Sequence, residues 1–163
     1  MTADSVVERL LAFRETAVGS LSSVAATSVA VGWATVELER AALELADALG
    51  VPASRFVPAI DSSMLGARCL VADSVLPDGS ALVVLEPATE GRLAATLARF
   101  GEGPAAIWLA RAEPREGGEI VPGDAFTTTP GRPGPLGVER LITGGPIHGP
   151  HRLLVGAPGT IRA

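Results

Sequence analysis

Apolar residues along this chain recur first at helical spacing, then at strand spacing, and finally in short runs broken by proline and glycine. Val6, Val7, Leu10, Leu11 and Phe13 mark an amphipathic helix over about Asp4 to Ala17, with Asp4 or Ser5 as its cap. Gly19 to Thr27 reads as a small-residue linker. Ser28 to Val36 reads as a strand, and Leu38, Leu43, Leu45, Ala46 and Leu49 predict a helix that starts near Glu37 and stops at Gly50 and Pro52. A weak strand near Arg55 to Ile60 follows. Ala67 to Val75 and Ala81 to Leu85 are two apolar runs joined through Leu76-Pro77-Asp78-Gly79-Ser80, where Pro fixes φ and Gly tolerates φ > 0, so they predict a hairpin. This half is β-α-β-β-β.

A helix capped at Thr89 and carried by Leu93, Leu97 and Phe100 then leads to Ala106-Ile107-Trp108-Leu109-Ala110. That stretch resembles Ala30-Val31-Gly32-Trp33-Ala34, 76 residues earlier, and the spacing implies a duplicated unit. The expected fold is α+β: paired βαβββ modules forming a curved mixed sheet around a cleft, with an extra N-terminal helix and a degenerate second module that has lost its helix. The expected divisions are 1–27 (helix and linker), 28–88 (first module), 89–104 (linking helix) and 105–163 (second module). Residues 111–137 are too rich in Pro and Gly for a helix and predict a long loop, a lid or a disordered segment, with strands near Gly118 to Val121, Leu136 to Thr143 and His151 to Val155.

Composition excludes several functions. A net charge of −5 with no arginine cluster opposes nucleic-acid binding. Lys, Tyr, Asn and Gln are absent, so neither a Schiff-base lysine nor a tyrosine acid is available. A single cysteine, Cys69, allows no intrachain disulfide and no cysteine-rich zinc site, and a reducing cytoplasm is the expected location. Asp4, Glu8 and Arg9 interrupt the start of the chain where a signal peptide would be apolar. No apolar run approaches the roughly 18 residues of a membrane span, so no membrane partner is expected. Ser62 and Ser63 beside Asp61 lack a nucleophile-elbow setting, and Gly101-Glu102-Gly103-Pro104 reads as a helix stop, not a phosphate loop.

The order and spacing of Val29 to Ala41, the Pro-Asp-Gly hairpin ending in Leu85-Glu86-Pro87, and Leu85 to Ala110 resemble the vicinal oxygen chelate superfamily. Its members include glyoxalase I, methylmalonyl-CoA epimerase, extradiol dioxygenases and bleomycin-resistance proteins, and the resemblance covers about Val29 to Val155. In metal-dependent members a histidine opens the first strand of each module. The matching positions here are Ala30 and Ala106, and the stretches matched to the closing strands, Ala81 to Leu85 and Arg152 to Val155, contain no Asp, Glu or Gln. The resemblance therefore implies the fold without its metal: no cofactor and no metal ligands are expected.

Side chains on a strand alternate faces, so if Ala30 and Ala106 line the cleft, Gly32, Ala34, Trp108 and Ala110 line it too, while Trp33 packs beneath a helix. Trp108 then either walls a pocket for a flat apolar ligand or fills a collapsed core. Ala30, Gly32, Ala106, Trp108 and Arg68 are the expected ligand-binding residues, Arg68 pairing with an anionic ligand or with Asp61. His151 and Glu86 are the candidate acid/base groups, His151 because imidazole titrates near neutral pH. His148 reads as a loop residue, and Cys69 as a small core residue.

Two readings follow. The first is a metal-free protein of the bleomycin-resistance kind, a homodimer binding an apolar secondary metabolite or drug. The second is a metal-free isomerase or cyclase of a carbonyl or polyketide-like substrate using His151 or Glu86.

Overall fold

The computed structural model describes residues 3–19, 26–111, 127–143 and 148–156. Strand β1 (Ala26–Ala34) and strand β5 (Gly103–Arg111) pair antiparallel at its centre, with Ala30 opposite Trp108 and Gly32 opposite Ala106. Each of these pairs is the image of the other under the 76-residue repeat, so the duplication is written into the register itself. On either side, β4 (Ala81–Pro87) runs parallel to β1 and β8 (His151–Val155) parallel to β5. Ala81 lies beside Ala30, and His151 beside Ala106. The remaining strands are β2 (Val57–Ser62), β3 (Ala67–Ala72), β6 (Arg132–Gly134) and β7 (Gly137–Leu141), and the order across the sheet is β2-β3-β4-β1-β5-β8-β7-β6. Both modules thus join within one chain.

Helices α1 (Ala3–Gly19), α2 (Leu38–Leu49) and α3 (Arg92–Phe100) complete the fold. Alternation sorts the strand side chains into two layers. Val31, Trp33, Leu82, Val84 and Ala72 pack outward against Val6 and Leu10 of α1 and Leu38, Ala42 and Leu45 of α2. The Arg9 guanidinium lies 5.1 Å from the centre of the Trp33 ring, a cation–π contact that covers the indole's outer side. Ala30, Ala34, Cys69, Val83, Leu85, Ala106, Trp108 and Leu153 face inward and form a separate core. Helix α2 follows its apolar stripe: Leu38, Ala41, Ala42, Leu45, Ala46 and Ala48 are buried, and Gly50 ends it at φ 68° with its N–H on Ala46 and Asp47 carbonyls.

The sheet curls until its two edges nearly meet. Across that seam the Ser63 N–H donates to the Pro133 carbonyl at 3.2 Å. Strand β6 lies inside the stretch expected to be loop. Its proline is tolerated because an edge strand leaves one side of its backbone unpaired, and Gly134 and Gly137 pair across the Pro135-Leu136 turn. Two boundaries also differ. Helix α3 begins at Arg92 with Gly91 in the capping position, so Thr89 is not its cap, and β1 ends at Ala34. The expected strand at Gly118 to Val121, most of the 111–137 loop, the linker over 20–25 and any helix between β5 and β6 lie outside the described residues. Among the described residues, no helix is long and apolar enough to cross a membrane.

Candidate functional site

The concave face of the sheet is apolar and filled. Trp108 is fully buried there, and the absence of a side chain at Gly32 gives its ring room: a Cβ at residue 32 would lie 2.8 Å from Trp108 Cζ3 and 2.8 Å from Leu85 Cδ1. Ala30, Gly32, Ala106 and Trp108 are therefore brought together on one face. Trp108 acts there as packing, its indole enclosed by neighbours and not lining an open cleft.

One charged group enters this face. Glu139, from the middle of β7, has no exposed surface. Its Oε2 accepts the Ser62 hydroxyl at 2.6 Å and the Met64 N–H at 3.3 Å, and its Oε1 accepts the Trp108 indole N–H at 3.2 Å. The Ser62 oxygen also accepts the Leu65 N–H at 3.3 Å, so its proton is free to point at the carboxylate. Gly134 makes the space. A Cβ there would overlap the carboxylate. Burial pushes the Glu139 pKa above the ordinary carboxylate range, while the hydroxyl, the indole and the Met64 amide pull it back. Among the described residues no ion pair reaches it, and Arg132, its register partner on β6, is exposed.

His151 shares this face at the other end of β8. It pairs with Ala106, whereas Glu139 pairs with Val155, so four residues, roughly 13 Å of strand, lie between them. The imidazole is buried and its Nε2 lies 2.7 Å from the Thr96 hydroxyl of α3, which also reaches the Arg92 and His148 carbonyls. With a single hydroxyl proton and two carbonyls to satisfy, Thr96 is best served when His151 Nε2 donates to it. Burial lowers the His151 pKa to about 4, and nearby Arg92 and His148 act in the same direction. Cys69 lies on this inner face, and burial raises its thiol to about 12.

Glu86 and Arg68 sit on the opposite face. They pair across β3 and β4 in step with outward-facing Leu70 and Val84, and their side chains approach to 3.6 Å. Glu86 Oε2 accepts the Leu38 N–H at 2.9 Å and so caps α2, while Arg68 also reaches Glu39 at 3.6 Å. The structure does not bring either residue to His151, and Arg68 pairs with Glu86 and Glu39, not with Asp61, one of the two partners expected for it. A hollow of about 490 Å3 bordered by Arg14, Ser28 and Asp78 also lies elsewhere, between the end of α1 and the start of β1, where Arg14 and Asp78 form an ion pair.

Among the described residues the inner face offers few donors to a divalent metal. Ala30 and Ala106 carry methyl groups, their neighbours on this face are Ala81, Val83, Leu85, Leu153 and His151, whose Nε2 is engaged by Thr96, and among the described residues no three His, Cys, Asp or Glu side chains converge.

Sequence reasoning missed Glu139 and weighed Ser62 only as a nucleophile. The available signal was parity: Glu139 alternates with Gly137 and Leu141, but apolar Val138, which is exposed, makes the strand read the other way round.

No protein-family model and no curated protein matches the chain. Solved structures do. Methylmalonyl-CoA epimerase from Mycobacterium tuberculosis superposes with a TM-score of 0.62 at 19% identity, covering 80% of this chain and 88% of that one. A Streptomyces coelicolor methylmalonyl-CoA epimerase variant in complex with 2-nitronate-propionyl-CoA gives 0.58 at 20% identity, over 81% and 97%. A hypothetical protein from Bacillus halodurans gives 0.60 at 15% identity, over 85% and 99%. At these identities the likeness shows the fold alone, an α+β architecture with a curved eight-stranded mixed sheet.

Proposed function

We propose that this chain is a metal-independent small-molecule-binding protein built on the vicinal oxygen chelate fold, its ligand an apolar metabolite or drug held on the inner face beside Trp108 and Glu139. The observation that carries the reading is Glu139. Burying a carboxylate costs several kcal/mol, and here three donors from β2, the turn after it and β5 converge to hold it on an otherwise apolar surface. Such a surface with a few placed polar groups is the usual composition of a ligand site. Ala30 and Ala106 support the metal-independent part, since methyl groups donate nothing to a cation. The same reading has the protein acting as a cytoplasmic homodimer, in keeping with its one buried cysteine.

The packed inner face opens for a ligand at the seam between β2 and β6. Every other neighbouring pair of strands is joined by a ladder, whereas among the described residues the hydrogen bonds across this edge are Ser63–Pro133, Thr129–Met64 and those of Glu139 to Ser62 and Met64. Titrating chelator-treated protein with phenylbutanol tests the proposal. Saturable binding that survives the chelator supports it, and binding that is absent or lost with the chelator refutes it.

Proton transfer on a carbonyl substrate is the second reading, and Glu139 is the observation in its favour. A buried carboxyl held above its usual range in a dry apolar cup suits an acid/base role better than Glu86 on the outer face. His151 is the other inner-face candidate, with its Nε2 engaged by Thr96.

A further inference from the structure

Among the described residues Glu139 is provided with donors but not with a counter-charge. All three of its partners are neutral, and among the described residues the basic side chains make their ion pairs elsewhere: Arg14 with Asp78, Arg40 with Glu37, Glu44 and Glu102, and Arg68 with Glu39 and Glu86. No described residue thus compensates the buried carboxylate, and its burial drives its affinity for a proton upward. The two donors to Oε2, Ser62 Oγ and Met64 N, both belong to the β2 side of the seam, whereas the donor to Oε1, Trp108, belongs to the central strand β5. If the seam parts, Ser62 and Met64 leave together, Trp108 stays, and Oε2 loses both of its donors in an apolar surrounding.

We infer that the ligand of this site is a hydrophobic amine, whose ammonium group replaces Ser62 and Met64 on Glu139 Oε2 while its apolar body lies along the inner face over Trp108. This rests on the inner-face reading above and adds the charge of the ligand to it. An ammonium brings up to three donors and the missing positive charge in one group. A neutral ligand brings no charge, and an anionic one places two like charges together in a medium of low dielectric.

Calorimetric titration of the unmodified chain with phenylbutylamine, phenylbutanol and phenylbutyrate, which share one apolar body and differ in the head group, tests the inference. The amine is expected to bind at least about tenfold more tightly than the alcohol, with the acid weaker still, and Glu139→Gln is expected to abolish the difference between amine and alcohol. Ser62→Ala keeps the carboxylate and is expected to retain the preference, which provides a second reading should the Gln variant fold poorly. Equal binding of amine and alcohol overturns the inference and leaves the inner-face reading standing. Loss of the preference in Ser62→Ala likewise overturns the inference, and no binding of any of the three overturns both.

Discussion

Gly32 and Trp108 occupy one shared volume: a Cβ on residue 32 would stand 2.8 Å from the indole Cζ3, closer than packed carbon atoms approach. The pair sits on neighbouring strands at the pseudo-symmetric centre of the sheet, so the missing side chain on one module makes room for the largest side chain of the other. Gly32→Ala is therefore expected to destabilise the chain by roughly 1–3 kcal/mol, as overpacking does in well-filled cores. Combining it with Trp108→Phe should recover part of the loss. Denaturant titration of the four proteins in this cycle measures the coupling, and strict additivity would count against the shared volume.

Acid should weaken the fold through His151. Its folded pKa is about 4, below the unperturbed 6.5, so the unfolded chain takes up a proton that the native ring refuses. The stability this represents is fully present above about pH 6.5, declines as the pH falls and is gone below about 4, on the order of 3 kcal/mol in all. His151→Ala should flatten this part of the stability–pH curve. The groups that bear on the ring are Thr96, Arg92 and His148.

Glu139 acts with the opposite sign. Because its folded pKa is raised above the ordinary 4.5, the native state keeps a proton that the unfolded chain has released, and its contribution to stability falls as the pH climbs above 4.5 toward the native value. Glu139→Gln should remove that decline. Urea midpoints measured for both proteins between pH 4 and pH 8 check the slope, and parallel curves would contradict the assignment.

Glu86→Ala should cost about 1 kcal/mol by uncapping the Leu38 amide at the start of α2, as read by thermal unfolding, and leave ligand binding unchanged. A large binding defect in a well-folded Glu86→Ala protein would return the residue to the site.

Much of the architecture was legible because it rests on periodicity. The outward Trp33 and inward Trp108 follow from strand parity alone, and the register of Ala30 with Trp108 and Gly32 with Ala106 restates the sequence repeat. The site was less legible. Glu86 follows an apolar run and so stands among the acid/base candidates, yet Leu82 and Val84 share its parity and face the helices, which places it outside. Glu139 is hidden by the exposed Val138 beside it and by partners, Ser62 and Met64, that lie 77 and 75 residues away in the first module and meet it only because the sheet closes. Strand β6 was concealed by its own Pro and Gly, residues acceptable only on an edge.

The central claim, that a small molecule enters the inner face beside Trp108, can be read from two indole N–H resonances in one protein. Trp108 Nε1 donates to Glu139 on the inner face, whereas Trp33 lies in the outer core under Arg9. On titration with phenylbutanol, the Trp108 cross-peak in a nitrogen–proton correlation spectrum should shift saturably while the Trp33 peak stays in place. A shifting Trp33 peak beside a stationary Trp108 peak, or two stationary peaks, would contradict the account.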